Sequence, residues 1–389
     1  MKVIIITGSI LPISQTFVKE QTKALKRWLG ILAGSGTEEN GVDISDIKVL
    51  HLPGGKKWSF NWCAVRLLAV FDIIHYKTYQ VLKNEKANLI HIHFADVAVR
   101  YSAIIKKMDL PTLITIHGTD INTYKSWWES GKGGFLNKSY PKKLLMLSQH
   151  PKVKFIAVSN SIKKTAIEFG IPKEKIIVSY IGVDVERFKP SGLSLEKRDP
   201  TVLFVGRMIE NKGPLVLVEA FRKVVKKVPE ATLTMIGDGP LLEETKKKAA
   251  EYNLPIKFLG AQPSAEVTNQ LKQSKVFCLP SYTLASGKSE GMPIVTLEAQ
   301  SCGVPVVTSA RGASTEGIID GITGFSFKEG CVDELYEKLV KALEDKDFTK
   351  LATKAARDFV CSKFDIKKCN EKLEKIYDEH AKAVESQPY

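Results

Sequence analysis

Cysteine is scarce and unpatterned in this sequence. The six cysteines stand singly, without a Cys-x-x-Cys pair, so they indicate neither a zinc site nor a disulfide framework and fit a reducing cytoplasm. Long apolar runs are also missing. No stretch reaches the roughly eighteen uninterrupted apolar residues of a transmembrane helix. The first ten residues are too short for a signal peptide and predict a β-strand.

Acidic residues are under-represented in the first half. Residues 1–190 carry 28 Lys/Arg and 15 Asp/Glu, whereas residues 191–389 carry 29 and 28, so the first half holds nearly all of the net charge of +14. The electric field of this positive charge attracts acidic lipid, a phosphate-bearing acceptor or nucleic acid. A requirement for general solubility explains the charge equally well. A nucleic-acid surface would also need aromatic residues among the basic ones. The sequence lacks them, and we expect no nucleic-acid partner.

Short apolar, β-branched runs alternate with helical patterns along the chain. Such runs predict parallel strands that are covered on both faces. Two series of them predict an α/β protein with two doubly wound, Rossmann-like domains that bind ligands at the carboxyl ends of their strands. The predicted strands are Lys2–Thr7, Ile47–Leu52, Ala87–Phe94, Pro111–His117, Lys154–Ser159 and Ile176–Ile181, then Thr201–Gly206, Ala231–Gly237, Ile256–Gly260, Lys275–Pro280, Val304–Ser309 and Gly324–Phe327.

The domain boundary is predicted around Asp184–Pro200, which is rich in charge and contains proline and glycine. We expect an N-terminal domain at 1–185, a linker at 186–200, a second domain at 201–363 and a C-terminal helix at 364–389 that returns to the first domain. Near the start, the apolar spacing from Phe17 to Leu29 predicts a helix ending near Gly30. Residues 34–46 are predicted to form a polar, mobile loop.

The loop after the strand Thr201–Gly206 combines glycine with two cations. Gly206 allows a ligand to approach the backbone. Arg207 and Lys212 can reach one diphosphate, the first as a planar fork of donors and the second as a mobile charge. The helix start after Gly213 adds partial positive charge. Two solvated surface cations are the alternative for such a pair.

A second turn, Gly237-Asp-Gly239-Pro, follows the next predicted strand. Gly237 and Gly239 would let a base or a ribose lie against the backbone. Many turns in α/β proteins have this sequence for conformational reasons alone. The turn therefore supports a nucleotide site only together with its neighbours.

Two glutamates separated by seven residues follow a later strand. A helix is predicted to start near Gly291–Pro293, so that the N–H groups of Gly291 and Met292 point at an anion. Glu290, just before this helix, can bind sugar hydroxyls, or it can simply complement the helix dipole. Glu298 can accept both hydroxyls of a ribose.

These patterns together resemble glycosyltransferase family four. The spacing of Glu290 and Glu298, the Arg207/Lys212 loop and the Gly-Asp-Gly-Pro turn carry the resemblance. Asn211 departs from it, since many relatives have Glu there, and Gln15 replaces a common Glu. The resemblance spans nearly the whole chain and includes the further segments Ser14–Phe17, His91–Phe94, Thr115–Asp120, Val158-Ser159 and Tyr180–Asp184 with Phe188.

The resemblance implies a GT-B fold, with two Rossmann-like domains facing across a cleft, and assigns roles to matching positions. Arg207 and Lys212 would hold the donor diphosphate, Glu298 the ribose and Glu290 the transferred sugar. The resemblance implies three catalytic residues, which are His117 beside the donor sugar, Glu290, and Asp120 facing the acceptor. The donor-binding residues that it implies are Gly8, Ser9, Gly206, Arg207, Lys212, Gly237, Gly239, Gly291, Met292, Pro293 and Glu298. A satisfied structural histidine is the alternative for His117.

The implied activity is retaining, metal-independent transfer of a sugar from a nucleoside-diphosphate sugar, with a UDP- or GDP-sugar expected, to a saccharide or lipid-linked acceptor in cell-surface glycan biosynthesis. No cofactor is expected. An epimerase- or phosphorylase-like enzyme of the same fold, or a catalytically inactive nucleotide-sugar-binding subunit, is the alternative.

The acceptor is expected on the first half. A long apolar and aromatic stretch, Trp58–Phe71, follows Lys56 and Lys57 there. With the positive charge of this half, it predicts contact with an anionic membrane surface or a lipid-diphosphate acceptor. A buried core helix explains the same apolar residues. We therefore expect a cytoplasmic protein that can associate with the cytoplasmic face of the membrane.

Overall fold

The chain consists of two compact α/β units. The computed structural model describes residues 1–10, 15–37, 42–54 and 59–385, so Ser14, Lys56, Lys57 and Trp58 lie outside the described residues. The first unit comprises Met1–Gly182 and Ile366–Tyr389, and the second comprises Val183–Asp365.

The first unit is built on a seven-stranded parallel sheet. Its strands are β1 (Lys2–Ile10), β2 (Leu29–Thr37), β3 (Val49–Leu52), β4 (Leu89–His93), β5 (Thr112–Ile116), β6 (Val153–Ala157) and β7 (Ile176–Val178). They lie in the order β3-β2-β1-β4-β5-β6-β7. The order reverses direction between β1 and β4, and this switch point is where open α/β sheets bind ligands.

Helices cover both faces of this sheet, as continuous apolar strands require. Val3 to Ile6 of β1, for example, are at most 1% exposed. The helices are α1 (Thr16–Lys23), α2 (Phe60–Val70), α3 (Tyr76–Asn84), α4 (Ala95–Arg100), α5 (Ser102–Met108), α6 (Thr119–Asn122), α7 (Lys125–Glu129), α8 (Tyr140–Ser148) and α9 (Asn160–Glu168).

The second unit repeats the plan with six parallel strands. These are β8 (Thr201–Val205), β9 (Thr232–Ile236), β10 (Ile256–Gly260), β11 (Val276–Leu279), β12 (Val306–Ser309) and β13 (Gly324–Phe327), in the order β10-β9-β8-β11-β12-β13. Its switch point lies between β8 and β11. The helices are α10 (Pro214–Lys227), α11 (Leu242–Glu251), α12 (Ser264–Gln273), α13 (Ile294–Ser301), α14 (Ala313–Glu316), α15 (Val332–Glu344) and α16 (Lys346–Lys363).

The prediction of a helix running to Gly30 is wrong. Helix α1 ends at Lys23, and residues 29–37 form β2, which pairs with β1 from Leu29 onward. Glycine suits this strand because a Cβ on Gly30 would lie 2.7 Å from Thr22 Cγ2. The predicted loop at 34–46 is also wrong at its start, since residues 34–37 belong to the strand; residues 38–41 of that loop lie outside the described residues.

The region expected as a linker packs against the second unit. Phe188 and Leu195 are buried, and the Arg198 guanidinium donates to the Ser274 carbonyl at 2.8 Å. Arg357 of α16 donates to the Phe188 carbonyl at 3.0 Å. Residues 186–200 are therefore part of the second unit's structure.

The C-terminal helix α17 (Ile366–Glu385) belongs to the first unit. Its residues Leu373 and Tyr377 join the core formed by β1 and β2. One oxygen of the buried Glu374 accepts three backbone N–H bonds, from Lys26, Arg27 and Trp28, at 2.9, 2.7 and 3.1 Å. This carboxylate fixes the segment that leads from α1 into β2.

Glu374→Gln tests that anchor. The variant keeps the side-chain shape but removes the negative charge that faces three N–H groups, so we expect the free energy of unfolding to fall by about 1–3 kcal/mol. Urea denaturation followed by circular dichroism measures the change. Glu371→Gln is the matched control, because Glu371 is 58% exposed and lies 3.4 Å from Lys26. Equal effects of the two variants would contradict the anchoring role.

Candidate active site

The loops that follow β8, β9 and β11 are joined by their backbones. The Met208 N–H donates to the Asp238 carbonyl at 2.8 Å, which joins the first loop to the second. The Tyr282 N–H donates to the Asn211 carbonyl at 3.0 Å, which joins the first loop to the third. All three loops lie at the carboxyl ends of neighbouring strands, around the switch point of the second sheet.

Glycine is required where these loops touch. A Cβ on Gly237, whose φ is +138°, would lie 1.8 Å from the carbonyl oxygen of Gly206. A Cβ on Gly239 would similarly lie 2.6 Å from the Met208 carbonyl oxygen. Contact between the loops therefore explains Gly237 and Gly239 without a ligand.

Lys212 and Glu290 form an ion pair within these loops. Lys212 Nζ lies 2.9 Å from Glu290 Oε2, and the two side chains are 18% and 17% exposed. The buried Asn211 donates from Nδ2 to the other carboxylate oxygen at 3.1 Å. The structure thus brings together a residue expected to bind phosphate and one expected to bind sugar. The sequence did not predict this contact of Asn211, although the residue's departure from the family pattern was visible there.

Arg207 and Lys212 lie on the same loop, between β8 and α10. The Arg207 side chain is exposed. Helix α10 begins at Pro214 with Gly213 at its N-cap, so its start adds partial positive charge next to the two cations. This combination can bind a diphosphate.

Glu298 lies in the second turn of α13. The helix begins at Ile294, with Pro293 at its N-cap, so Gly291 and Met292 precede it in a buried segment. Glu298 is partly exposed between Leu297 and Ala299, both of which are fully buried. Packing of these neighbours fixes the helix and leaves the carboxylate at the surface of the unit.

Three histidines lie at the ends of β4 and β5 in the first unit. His91 and His93 alternate along β4 and share one face of the sheet, with ring centroids 4.5 Å apart. His93 Nδ1 lies 3.0 Å from His117 Nε2. His91 is within 2.6 Å of both Thr115 Oγ1 and Tyr377 Oη. The His-x-His pattern signalled the pair, whereas no local pattern signalled Tyr377.

Burial lowers the pKa of each of these imidazoles. It brings the pKa of His93 to about 3. For His91 and His117, burial first and the neighbouring His93 second hold the pKa well below its usual range. His93 Nε2 is buried and finds no hydrogen-bond partner in the described part of the chain. His117 remains partly exposed beside Phe94, so it is presented as a neutral hydrogen-bonding group.

Asp120 is enclosed by backbone. It is 3% exposed, and its oxygens accept the N–H groups of Ala95 at 2.9 Å and Gly118 at 2.8 Å. The His117 N–H donates to it as well, at 3.2 Å. Burial raises the pKa of Asp120 to about 6, against the lowering effect of these bonds. The geometry favours a residue that positions the loop carrying His117.

Gly8 and Ser9 lie within β1, which continues to Ile10 beyond the predicted end. A Cβ on Gly8 would lie 3.3 Å from Val97 Cγ2 and 3.7 Å from Arg100 Nη1. The two residues therefore stand at the switch point of the first sheet, close to the guanidinium of α4.

Two further properties concern only the described residues. Within those ranges, no three or more His, Cys, Asp or Glu side chains are grouped in a way that could hold a metal ion. None of the helices described there combines the length and apolarity needed to cross a membrane.

Two family models match adjoining parts of the chain. Residues 33–187 match Glycosyltransferase Family 4, and residues 185–359 match Glycosyl transferases group 1. The boundary between the two matches falls near the boundary between the structural units.

Similar curated proteins are glycosyltransferases. The UDP-Gal:alpha-D-GlcNAc-diphosphoundecaprenol alpha-1,3-galactosyltransferase of Escherichia coli is 27% identical, over 77% of each chain. The amylovoran biosynthesis glycosyltransferase AmsK of Erwinia amylovora is 28% identical, over 65% of this chain and 60% of its own.

Similar solved structures cover nearly the whole chain. Anabaena HepE, in complex with UDP and glucose, has a TM-score of 0.77 at 18% identity, over 97% of this chain and 99% of its own. Sucrose-phosphate synthase from Thermosynechococcus elongatus has a TM-score of 0.78 at 18% identity, over 98% and 100%. At this identity the likeness establishes the fold.

The two parallel-sheet units, each with its loops gathered at a switch point, define a protein of the GT-B fold. With both family models matched in order along the sequence, the chain belongs to the group 1 glycosyltransferases, family four.

The buried histidines predict sensitivity to acid. A histidine whose folded-state pKa is lowered stabilises the fold above its ordinary pKa of 6.5, and that stability is lost as pH falls toward the folded value of about 3. When the pH falls from 7 to 5, the free energy of unfolding of His93→Gln should therefore decrease by about 2 kcal/mol less than that of the unchanged protein. Urea denaturation at both pH values measures this difference. Identical losses would show that His93 is not kept neutral by burial.

Proposed function

We propose that this glycosyltransferase moves a sugar, with retention of configuration, from a nucleoside-diphosphate sugar to a saccharide or lipid-linked acceptor in cell-surface glycan biosynthesis. A UDP- or GDP-sugar is the proposed donor. The observation that carries the proposal is the contact of Lys212 and Asn211 with Glu290 at the switch point of the second sheet. It joins a phosphate-binding group to a sugar-binding group.

Each chemical group of the nucleoside-diphosphate sugar has a proposed partner in the protein. Arg207 and Lys212 bind the diphosphate, which carries most of the donor's negative charge. Glu298 accepts hydroxyls of the ribose. Glu290 accepts hydroxyls of the transferred sugar, and Asn211 holds its carboxylate in the required orientation. In the first unit, His117 offers a neutral imidazole that can hydrogen-bond a substrate hydroxyl.

In the proposed reaction, the bond between the anomeric carbon and the β-phosphate oxygen breaks, and the acceptor oxygen bonds to the anomeric carbon. The proton of the acceptor hydroxyl passes to the departing phosphate. Negative charge grows on the diphosphate as it leaves, and Arg207, Lys212 and the start of α10 stabilise it. We propose that neither a metal ion nor a cofactor takes part.

The names of the relatives support the proposed setting. The Escherichia coli relative is named for a UDP-sugar donor and a lipid-diphosphate acceptor, and the Erwinia relative for the biosynthesis of amylovoran. The Anabaena structure contains UDP. We extend this chemistry to the present chain as a proposal, and with it a location at the cytoplasmic face of the membrane.

Nucleotide binding tests the donor site. UDP, GDP and ADP are each added to the purified protein with EDTA present, and the melting temperature is recorded. One nucleotide at about 100 times its Kd should stabilise the protein by about 2.7 kcal/mol. Arg207→Ala should weaken that binding by about ten- to a hundredfold, because it removes a charged donor to the diphosphate.

Lys350→Ala is the control, because Lys350 is an exposed cation on α16 in the same unit. It should bind the nucleotide like the unchanged protein. Absence of any shift with all three nucleotides, or equal binding by Arg207→Ala, would contradict the donor site.

Asn211→Ala tests the orientation of Glu290. Loss of one hydrogen bond to the carboxylate should lower the turnover number with the nucleotide sugar by about tenfold, while binding of the bare nucleotide stays nearly unchanged. Asn269→Ala is matched to it, since Asn269 contacts Glu266 at 3.5 Å on α12 of the same unit. Unchanged turnover in Asn211→Ala would mean that the contact is structural only.

A further inference from the structure

A basic pocket lies among α2, α4 and α8 of the first unit. Its lining includes Arg66, Arg100 and Lys143, with Asp96 as the opposing carboxylate. The space between the lining atoms, including the mouth open to solvent, is about 430 Å³. A pocket with three cations and one carboxylate attracts an anion.

The three cations are incompletely neutralised by the protein. Arg66 Nε is buried without a hydrogen-bond partner among the residues described, and Arg100 lies 3.6 Å from Asp96. Lys143 Nζ donates to the carbonyls of Ala69 and Val70, which hold it in place without neutralising its charge. Burial first and the charge of Arg100 second lower the pKa of Arg66. A bound anion would offset both effects, because it favours the charged form of the guanidinium.

The pocket adjoins the ligand-binding edge of the first sheet. Arg100 Nη1 lies 3.7 Å from the position of a Cβ on Gly8, which lies near the carboxyl end of β1. Because β1 borders the switch point, Arg100 connects the pocket to the edge where a substrate of an open α/β sheet binds.

Exposed apolar side chains, here called the rim, lie on the segments that line the pocket. Leu136 is both a lining residue and 37% exposed. Leu67, Phe71 and Phe135 are 54%, 67% and 78% exposed, and each is the sequence neighbour of a lining residue. The exposure of Leu67 and Phe71 argues against the alternative that the stretch Trp58–Phe71 forms a buried core helix, because the core does not cover these two side chains. An anion site with an apolar rim matches an amphiphile whose charge lies next to a hydrocarbon chain.

We propose that this pocket binds the diphosphate of a lipid-linked acceptor, with the rim contacting the first part of its hydrocarbon chain. The proposal rests on the function proposed above and specifies the acceptor class. Arg66 and Arg100 contact the diphosphate, and Leu67, Phe71, Phe135 and Leu136 contact the chain.

Calorimetry with three probes tests the proposal on the full chain saturated with the nucleoside diphosphate that raises its melting temperature, so that the donor diphosphate site is occupied. Farnesyl diphosphate carries charge and tail, inorganic pyrophosphate the charge alone, and farnesol the tail alone. Farnesyl diphosphate should bind at least about tenfold more tightly than either of the others. Arg66→Gln and Arg100→Gln should each weaken its binding by about tenfold or more, and Asp96→Asn should strengthen it.

Lys164→Gln is the matched control, since it removes one positive charge from an 80% exposed position on α9, and it should bind like the unchanged protein. Unchanged binding in both arginine variants would show that the diphosphate does not bind in this pocket. Equal affinity for pyrophosphate and farnesyl diphosphate would show that the hydrocarbon chain is not recognised and would contradict a lipid-linked acceptor. Nucleotide binding is measured separately in every variant: failure of the unchanged protein to bind UDP, GDP or ADP would overturn the donor proposal, whereas retained nucleotide binding in Arg66→Gln confines a loss to the pocket.

Discussion

The ion pair between Lys212 and Glu290 is the contact on which the second unit's site depends. Two charged groups that are mostly withdrawn from water need each other or a ligand. Asn211 adds a hydrogen bond to the same carboxylate, while its own carbonyl joins this loop to the loop after β11. In the proposed reaction a diphosphate competes for Lys212, and Glu290 then becomes available to sugar hydroxyls. The pair would thus couple the arrival of phosphate to the binding of sugar.

In the first unit, burial fixes the arrangement of the candidate site residues. Tyr377 of the last helix reaches His91 on β4, and His93 on the same strand contacts His117 at the end of β5. Burial keeps these rings neutral, while Asp120 fixes the backbone that carries His117. The last helix, held by Glu374, therefore supports residues at the ligand-binding edge although it is distant in sequence.

Most of the fold follows from local sequence pattern. Buried parallel strands such as β8 and β11 are almost wholly apolar runs, and period and composition predict them. β2 was missed because its three glycines are unfavourable in a strand and because Leu29, at its start, continues the helical spacing that begins in α1. Its pairing with β1 is a tertiary contact that no local pattern reports.

Candidate site residues can be named from the sequence where one loop carries several signals, as with Arg207 and Lys212, and their role stays a prediction. Contacts between residues from distant segments cannot be predicted in this way. Asn211 and Glu290 are 79 positions apart, and His91 and Tyr377 are 286 apart. The buried state of Asp120 also depends on the N–H groups of a neighbouring strand's loop, so its sequence motif could not distinguish a positioning residue from an exposed acid. Gly237 likewise serves a backbone contact that its motif does not distinguish from a nucleotide site.

A crystal structure with an intact nucleoside-diphosphate sugar tests the proposed donor site directly. We expect diphosphate oxygens within hydrogen-bonding distance of Arg207 and Lys212, and sugar hydroxyls on Glu290, with the distance from Lys212 Nζ to Glu290 Oε2 longer than its present 2.9 Å. A nucleotide sugar bound away from these three side chains, with the ion pair intact, would contradict it.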